Sequence, residues 1–194
     1  MIGLHGSALR KPYSIASAPW EVARTGVMQV LVQIEDSGGL DPHLELAAPA
    51  TQLDVEGPFG TFAPPAQPRA LMFIAGGTGI APLRSIMMAR LQRPSAPPIV
   101  VVYSARSVEE FAFRLELEAL QAAGRIRTHF TVTRDESALW PGRRGRIDHA
   151  LLKAALPSDE ADCFICGPPA LVSDASELLE TLGVPKSRIQ IENY

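Results

Sequence analysis

The chain has 194 residues, 46% of them apolar, enough for a substantial core, which excludes a disordered or fibrous protein. Eighteen basic against twenty-one acidic side chains leave a net charge of -3, so neither a nucleic-acid backbone nor an anionic membrane is indicated as partner. Two cysteines exclude a disulfide framework, a four-cysteine zinc site and a cysteine-ligated iron-sulfur cluster, and the absence of a leader pattern or of about 18 consecutive apolar residues predicts a soluble cytoplasmic protein without a membrane span.

From the N-terminus, residues 2–4 read as the tail of a strand, and 13–17, 28–35 and 52–56 as antiparallel strands between turn residues. In the 28–35 stretch, Met28, Val30, Val32 and Ile34 alternate with Gln29, Leu31 and Gln33. Pro64, Pro65 and Pro68 withhold backbone donors and favour an extended connector. The chain is therefore expected to divide into a small β domain over 1–66 and a second domain over 67–194. Beyond the prolines, 70–75, 99–103, 126–132, 162–166 and 188–192 are short apolar runs without alternation, as parallel strands covered on both faces require. Leu83, Ile86, Met87 and Leu91 form one helical stripe; Leu171, Val172, Ala175, Leu178, Leu179 and Leu182 form another, ended by Gly183 and Pro185. Ser107 with Glu110 reads as a capping box opening a helix that runs to Gly124. These elements predict an α/β doubly wound, five-stranded parallel sheet, with its ligand site beyond the carboxyl ends of the strands.

Gly76, Gly77, Thr78 and Gly79 follow the first of these strands, and Pro82 falls in the first turn of the next helix. Such a loop lets backbone amides and a helix dipole approach a phosphate; it also serves as a tight turn with no ligand. Cys166, Gly167, Pro168 and Pro169 end the fourth strand, where they form either a small rigid wall for a planar ring or a helix-opening turn around a buried cysteine. Cys163 and Cys166 spell C-x-x-C, yet in a strand their side chains take opposite faces with Cα atoms roughly 10 Å apart, beyond disulfide reach. Lys11, Pro12, Tyr13 and Ser14 set a cation, an aromatic ring and a hydroxyl on one strand, to border a flat ligand or to pack across strands. Glu192, Asn193 and Tyr194 close the chain at the predicted rim or fray from it. No two of the four histidines have metal-ligand spacing, and no metal is expected.

Taken in order, K-P-Y-S at 11–14, G-P-F-G-T-F at 57–62, G-G-T-G-I-A-P at 76–82, Y-S-A-R at 103–106, C-G-P-P at 166–169 and E-N-Y at 192–194 resemble the ferredoxin-NADP reductase superfamily over nearly the whole chain. The resemblance implies a flavin-binding antiparallel β-barrel followed by a nicotinamide-binding α/β domain, with FAD (or FMN) and NADPH or NADH as cofactors. It also implies a ferredoxin or similar one-electron acceptor as partner. Tyr13 would pack on the flavin ring and Ser14 hydrogen-bond near its N5, with Lys11 at the flavin phosphate. Gly76, Gly77, Thr78 and Gly79 would take the nicotinamide cofactor's pyrophosphate, and Ser104 with Arg106 its adenosine ribose. Cys166 and Glu192 would flank the nicotinamide, with Gly167 and Pro168 in the same turn, and Tyr194 would cover the other flavin face until nicotinamide displaces it.

Two departures go with the resemblance. Asp41 stands where the family's second flavin-phosphate motif has Ser or Thr; a carboxylate there would either repel the pyrophosphate or cap a short helix at Pro42 whose backbone amides bind the phosphate. Only ten residues precede Lys11, so the barrel is expected to be partial, with an upstream start or another segment completing its sheet. Two other readings are an oxygenase's reductase component and a non-catalytic nucleotide-binding module.

Overall fold

The computed structural model describes residues 1–34, 41–63, 69–93, 95–135 and 140–193. A six-stranded all-parallel sheet is built from β3 (Leu71–Gly76), β4 (Ile99–Ala105), β5 (Arg127–Val132), β6 (Arg143–Arg144), β7 (Asp162–Gly167) and β8 (Ile189–Asn193), in the spatial order β6-β5-β4-β3-β7-β8. In front of it in sequence lie a two-stranded antiparallel sheet of β1 (Ile2–Leu4) and β2 (Leu53–Val55), a helix α1 (Pro19–Thr25) and a short helix α2 (Asp41–Glu45).

The large sheet is buried because β3, β4 and β7 are apolar on both faces and each face receives helices. Leu71, Phe73, Val101, Tyr103 and Phe164 pack with α3 (Ile80–Leu91) and α4 (Arg114–Ala122) on one side. Met72, Ile74, Val100, Val102 and Ile165 pack with α5 (His149–Ala155) and α6 (Pro169–Thr181) on the other. Both predicted helical stripes face these cores. The chain runs outward from β3 to β4, β5 and β6, then returns to β7 on the opposite flank of β3. That reversal opens a crevice beyond the carboxyl ends of β3 and β7, where doubly wound sheets take ligands.

The five predicted parallel strands are present, and a sixth, β6, corrects their number. It is two residues long and carries no apolar pattern, so nothing local announces it. Its place is set by partners elsewhere: the Trp140 indole N–H donates to the Arg143 carbonyl at 2.9 Å, Gly145 N–H to Val132 at 2.8 Å, and the Thr131 hydroxyl to Gly145 at 2.6 Å. The helix predicted over 107–124 is also corrected. A single 3-10 turn covers Val108–Glu110, and α4 starts at Arg114 after Phe113 adopts φ +58°. Glu110 accepts from the Arg106 N–H at 3.1 Å instead of completing a box with Ser107, while Phe111 turns inward onto Tyr103, Phe130 and Trp140.

The front segment departs most from expectation. Instead of strands over 13–17 and 28–35, the described residues there make one antiparallel bridge, Ile15 to Val30. Between them stands α1, whose signals were in the sequence: Pro19 in its first turn and Gly26 in the left-handed conformation at its end. Residue 35, the expected boundary at 64–68 and the Gly38, Gly39 and Leu40 stretch lie outside the described residues. A short helix does occur at Asp41–Glu45.

Helix α3 fastens this segment to the sheet. The Arg84 side chain is 5% exposed and donates to both Glu21 carboxylate oxygens at 3.0 and 3.1 Å, to Glu116 at 2.7 Å and to the Ala16 carbonyl at 2.8 Å. Beside it the Ser85 hydroxyl donates to Ser17 and the Trp20 indole to Met88. Burial raises the Glu21 carboxyl, yet hydrogen bonds from Arg84 and the Ala18 N–H outweigh it and hold the pKa below its ordinary 4.5. A carboxylate lowered in the folded state adds stability that is complete above that ordinary value and is lost as pH falls through the folded one. Glu21→Gln is therefore expected to flatten the decline of the urea midpoint between about pH 5 and about pH 3. An acid limb as steep as the parent's would show that Glu21 does not carry it.

Candidate functional site

A cavity of about 820 Å³ lies beyond the carboxyl ends of β3, β4 and β5 and beside the start of α6. Its floor comes from Gly76, Gly77 and Thr78 after β3 and from Ser104, Ala105 and Arg106 at the end of β4. Pro168 and Leu171 form another side, and Leu31 to Ile34 of the front segment reach it as well, so both parts of the chain wall the same space.

The glycine loop is shaped by two constraints. Gly77 has φ +52°, a conformation that costs side-chain-bearing residues energy. A Cβ on Gly79 would overlap the Cys166 carbonyl oxygen and carbon and come within 2.9 Å of Gly167 N. The turn after β3 thus lies directly against the turn after β7, which joins the G-G-T-G and C-G-P-P segments at the topological reversal. Gly79 is buried in this junction and is not a lining residue.

Three arginines line the cavity: Arg106, Arg134 and Arg146, with Asp174 at 3.7 Å from Arg146 and Glu110 near the end of β4. Exposed guanidinium groups beside backbone amides suit a phosphorylated ligand, and an apolar wall from Leu31, Ile34 and Leu171 suits flat rings. Nothing in the sequence beyond their place marks Thr133 and Arg134: both follow β5 just as Arg106 follows β4. Arg146, one of a basic run with Arg143 and Arg144 that reads in sequence as a solvated loop or a face for an acidic partner, lines the cavity instead.

Cys166 is 2% exposed and packs in the core on the α3 side, whereas Cys163 packs on the α6 side. Both thiols are free, and their opposite faces agree with the argument against a C-x-x-C disulfide. Burial, together with the Asp162 carboxylate for Cys163 and the Glu192 carboxylate for Cys166, pushes the pKa of each up to about 12, so each is a neutral thiol at physiological pH. Glu192 is Cys166's register partner on β8, and burial raises its carboxyl above the ordinary range. Of the expected site residues, Lys11, Pro12, Tyr13, Ser14, Cys166, Gly167 and Glu192 do not line the cavity; Lys11 bridges Ile2, and Tyr13 and Ser14 are half-buried. Tyr194 lies outside the described residues. Among the described residues no three His, Cys, Asp or Glu side chains group as a metal site, and no helix is long and apolar enough to cross a membrane.

A parallel sheet with this reversal, a glycine loop pressed against a second turn and a cavity flanked by arginines defines a nucleotide-binding α/β unit. The family described as oxidoreductase NAD-binding domain matches residues 73–177. Ferredoxin--NADP reductase B of Sorangium cellulosum is 34% identical over 203 residues, covering 100% of this chain and 82% of that protein. The cytochrome b5 reductase domain of Ulva prolifera nitrate reductase superposes with TM-score 0.75 at 26% identity, covering 86% of this chain and 73% of that one. The ferredoxin reductase in carbazole 1,9a-dioxygenase superposes with TM-score 0.83 at 24% identity, and this chain covers 58% of its length. The chain belongs to the ferredoxin-NADP reductase superfamily and is an oxidoreductase with that family's NAD-binding domain.

Proposed function

We propose that the chain moves hydride from NAD(P)H to FAD and passes the electrons to a ferredoxin-type one-electron acceptor, with residues 1–66 as the flavin-binding part of a two-domain reductase and 67–194 as its nicotinamide-binding part. The observation that carries this reading is the cavity walled by both Leu31 to Ile34 and the glycine loop. Hydride transfer needs two rings stacked at roughly 3–3.5 Å, which requires a slot bounded by both halves of the chain. When bound, the flavin supplies the chemistry of accepting a hydride and releasing electrons singly.

The residues present fit a dinucleotide: the cavity is large enough, its floor is backbone, and its guanidinium groups neutralise phosphate charge. In this reading the glycine-loop amides hold the pyrophosphate, Ser104 and Arg106 the adenosine end, and the junction of Gly79 with Cys166 and Gly167 holds the nicotinamide in place. Cys166 and Glu192 border that ring, Tyr13 and Ser14 border the flavin, Lys11 serves its phosphate, and Tyr194 covers its free face.

In flavin-loaded protein, Cys166→Ala and Glu192→Ala are each expected to slow flavin reduction about ten-fold while leaving flavin bound, as read by stopped-flow absorbance near ~450 nm. Parent-like rates in both variants would remove the nicotinamide from this place. Deleting Tyr194 is expected to tighten nicotinamide binding by vacating a stacking position; unchanged or weaker affinity in a fluorescence titration would remove its covering role.

A further inference from the structure

We propose that Tyr103 is a positioning residue that sets the shape of the glycine loop for nicotinamide-cofactor binding, through its phenol and from outside the cavity. This rests on the reading of the cavity as the NAD(P)H site. Tyr103 is fully buried in β4, its ring edge-on to Phe111 at 5.0 Å and tilted against Phe130 at 6.2 Å. Its hydroxyl donates to the Gly77 carbonyl at 2.9 Å and accepts the Ala112 N–H at 3.2 Å. Gly77 and Ala112 both line the cavity, so one buried hydroxyl ties two parts of its wall together.

The geometry explains why this bond matters for binding. Gly77 sits at φ +52°, where its peptide would otherwise rotate among several conformations. A trans peptide points its carbonyl and N–H in opposite directions. Anchoring the Gly77 carbonyl on Tyr103 therefore aims the Thr78 N–H away from the phenol and fixes it, and Thr78 is itself a lining residue. The Ala112 N–H also donates to the Glu110 backbone carbonyl at 3.0 Å, so loss of the hydroxyl leaves Ala112 that acceptor and takes from the Gly77 carbonyl the Tyr103 donor.

Tyr103→Phe removes that oxygen and little else. With the full chain, titration with NADPH and with NADH by calorimetry is expected to show the dissociation constant of the better-bound nucleotide raised about ten-fold, equivalent to about 1.4 kcal/mol. In flavin-loaded protein, the rate of flavin reduction at saturating nucleotide is expected to stay within about two-fold of the parent, because orientation of the loop serves ground and transition states alike. Phe111→Leu is the control: it trims the ring packed on Tyr103 and lowers stability without touching either hydrogen bond, and it should leave the dissociation constant unchanged. A Tyr103→Phe constant within about two-fold of the parent's overturns the inference, as does an equal rise in Phe111→Leu, which would make the effect one of stability. A parent chain that binds neither nucleotide overturns the reading of the cavity, and a parent that binds while Tyr103→Phe binds equally well overturns only the role of Tyr103.

Discussion

Gly79→Ala is expected to cut NAD(P)H-dependent flavin reduction by about a hundred-fold or more, because displacements near 1 Å in a site that aligns two reactants have effects of that size. The added methyl would occupy the space of the Cys166 carbonyl, and backbone on both sides leaves no flexible side chain to yield. Either the turn after β3 or the turn after β7 must move, and the glycine loop lies on one while the proposed nicotinamide border lies on the other. The expected pattern is flavin still bound, with hydride transfer and nucleotide affinity both lost. Stopped-flow reduction measured beside a flavin absorbance spectrum separates these outcomes. A variant reducing its flavin at the parent's rate would mean that the junction between the two turns does not hold the reacting ring.

Arg84→Ala is expected to lower unfolding stability by about 3–5 kcal/mol, the range for removing one member of a buried ion-pair cluster. The guanidinium is the only cation between Glu21 and Glu116 among the hydrogen bonds described for them, and it also satisfies the Ala16 carbonyl. Its loss leaves a carboxylate pair facing one another and a carbonyl without that donor. Arg84→Met, which keeps the length of the stem, should restore packing but not the paired charge and should remain well below the parent. Urea unfolding followed by circular dichroism reads both. A loss under about 1 kcal/mol would place this cluster with ordinary surface pairs.

The nicotinamide-binding half could be read from sequence almost strand by strand because its signals are local and strong. Apolar runs such as 71–76 and 162–167 are too short for a buried helix and are closed by Gly or Pro, which leaves a doubly covered strand as the conformation that buries them, and the glycine loop sits directly at a strand end. What escaped was fixed at a distance. Strand β6 depends on Trp140 and Thr131, and the interruption before α4 depends on Phe111 finding three aromatic neighbours, neither of which is visible in a window of neighbouring residues. In the front segment, the alternation of Met28, Val30, Val32 and Ile34 satisfies the period of a strand, but strands also need partners, and only Val30 has one among the described residues. The ligand-facing place of Arg134 and Arg146 escaped because a guanidinium in a loop looks the same in sequence whether it faces water, a partner or a ligand; the fold alone brings Arg106, Arg134 and Arg146 to one rim.

Helix α3 starts at the glycine loop and, one turn later, grips Ala16, Ser17 and Glu21. Hybrid reductases assembled by cutting related chains between β2 and β3 would separate that grip from the surface it packs against. Residues 80–91 should therefore be inherited with the front segment in any such recombination, even though they lie beyond β3, and shuffled libraries that respect this should retain more coloured, active clones than those divided between β2 and β3.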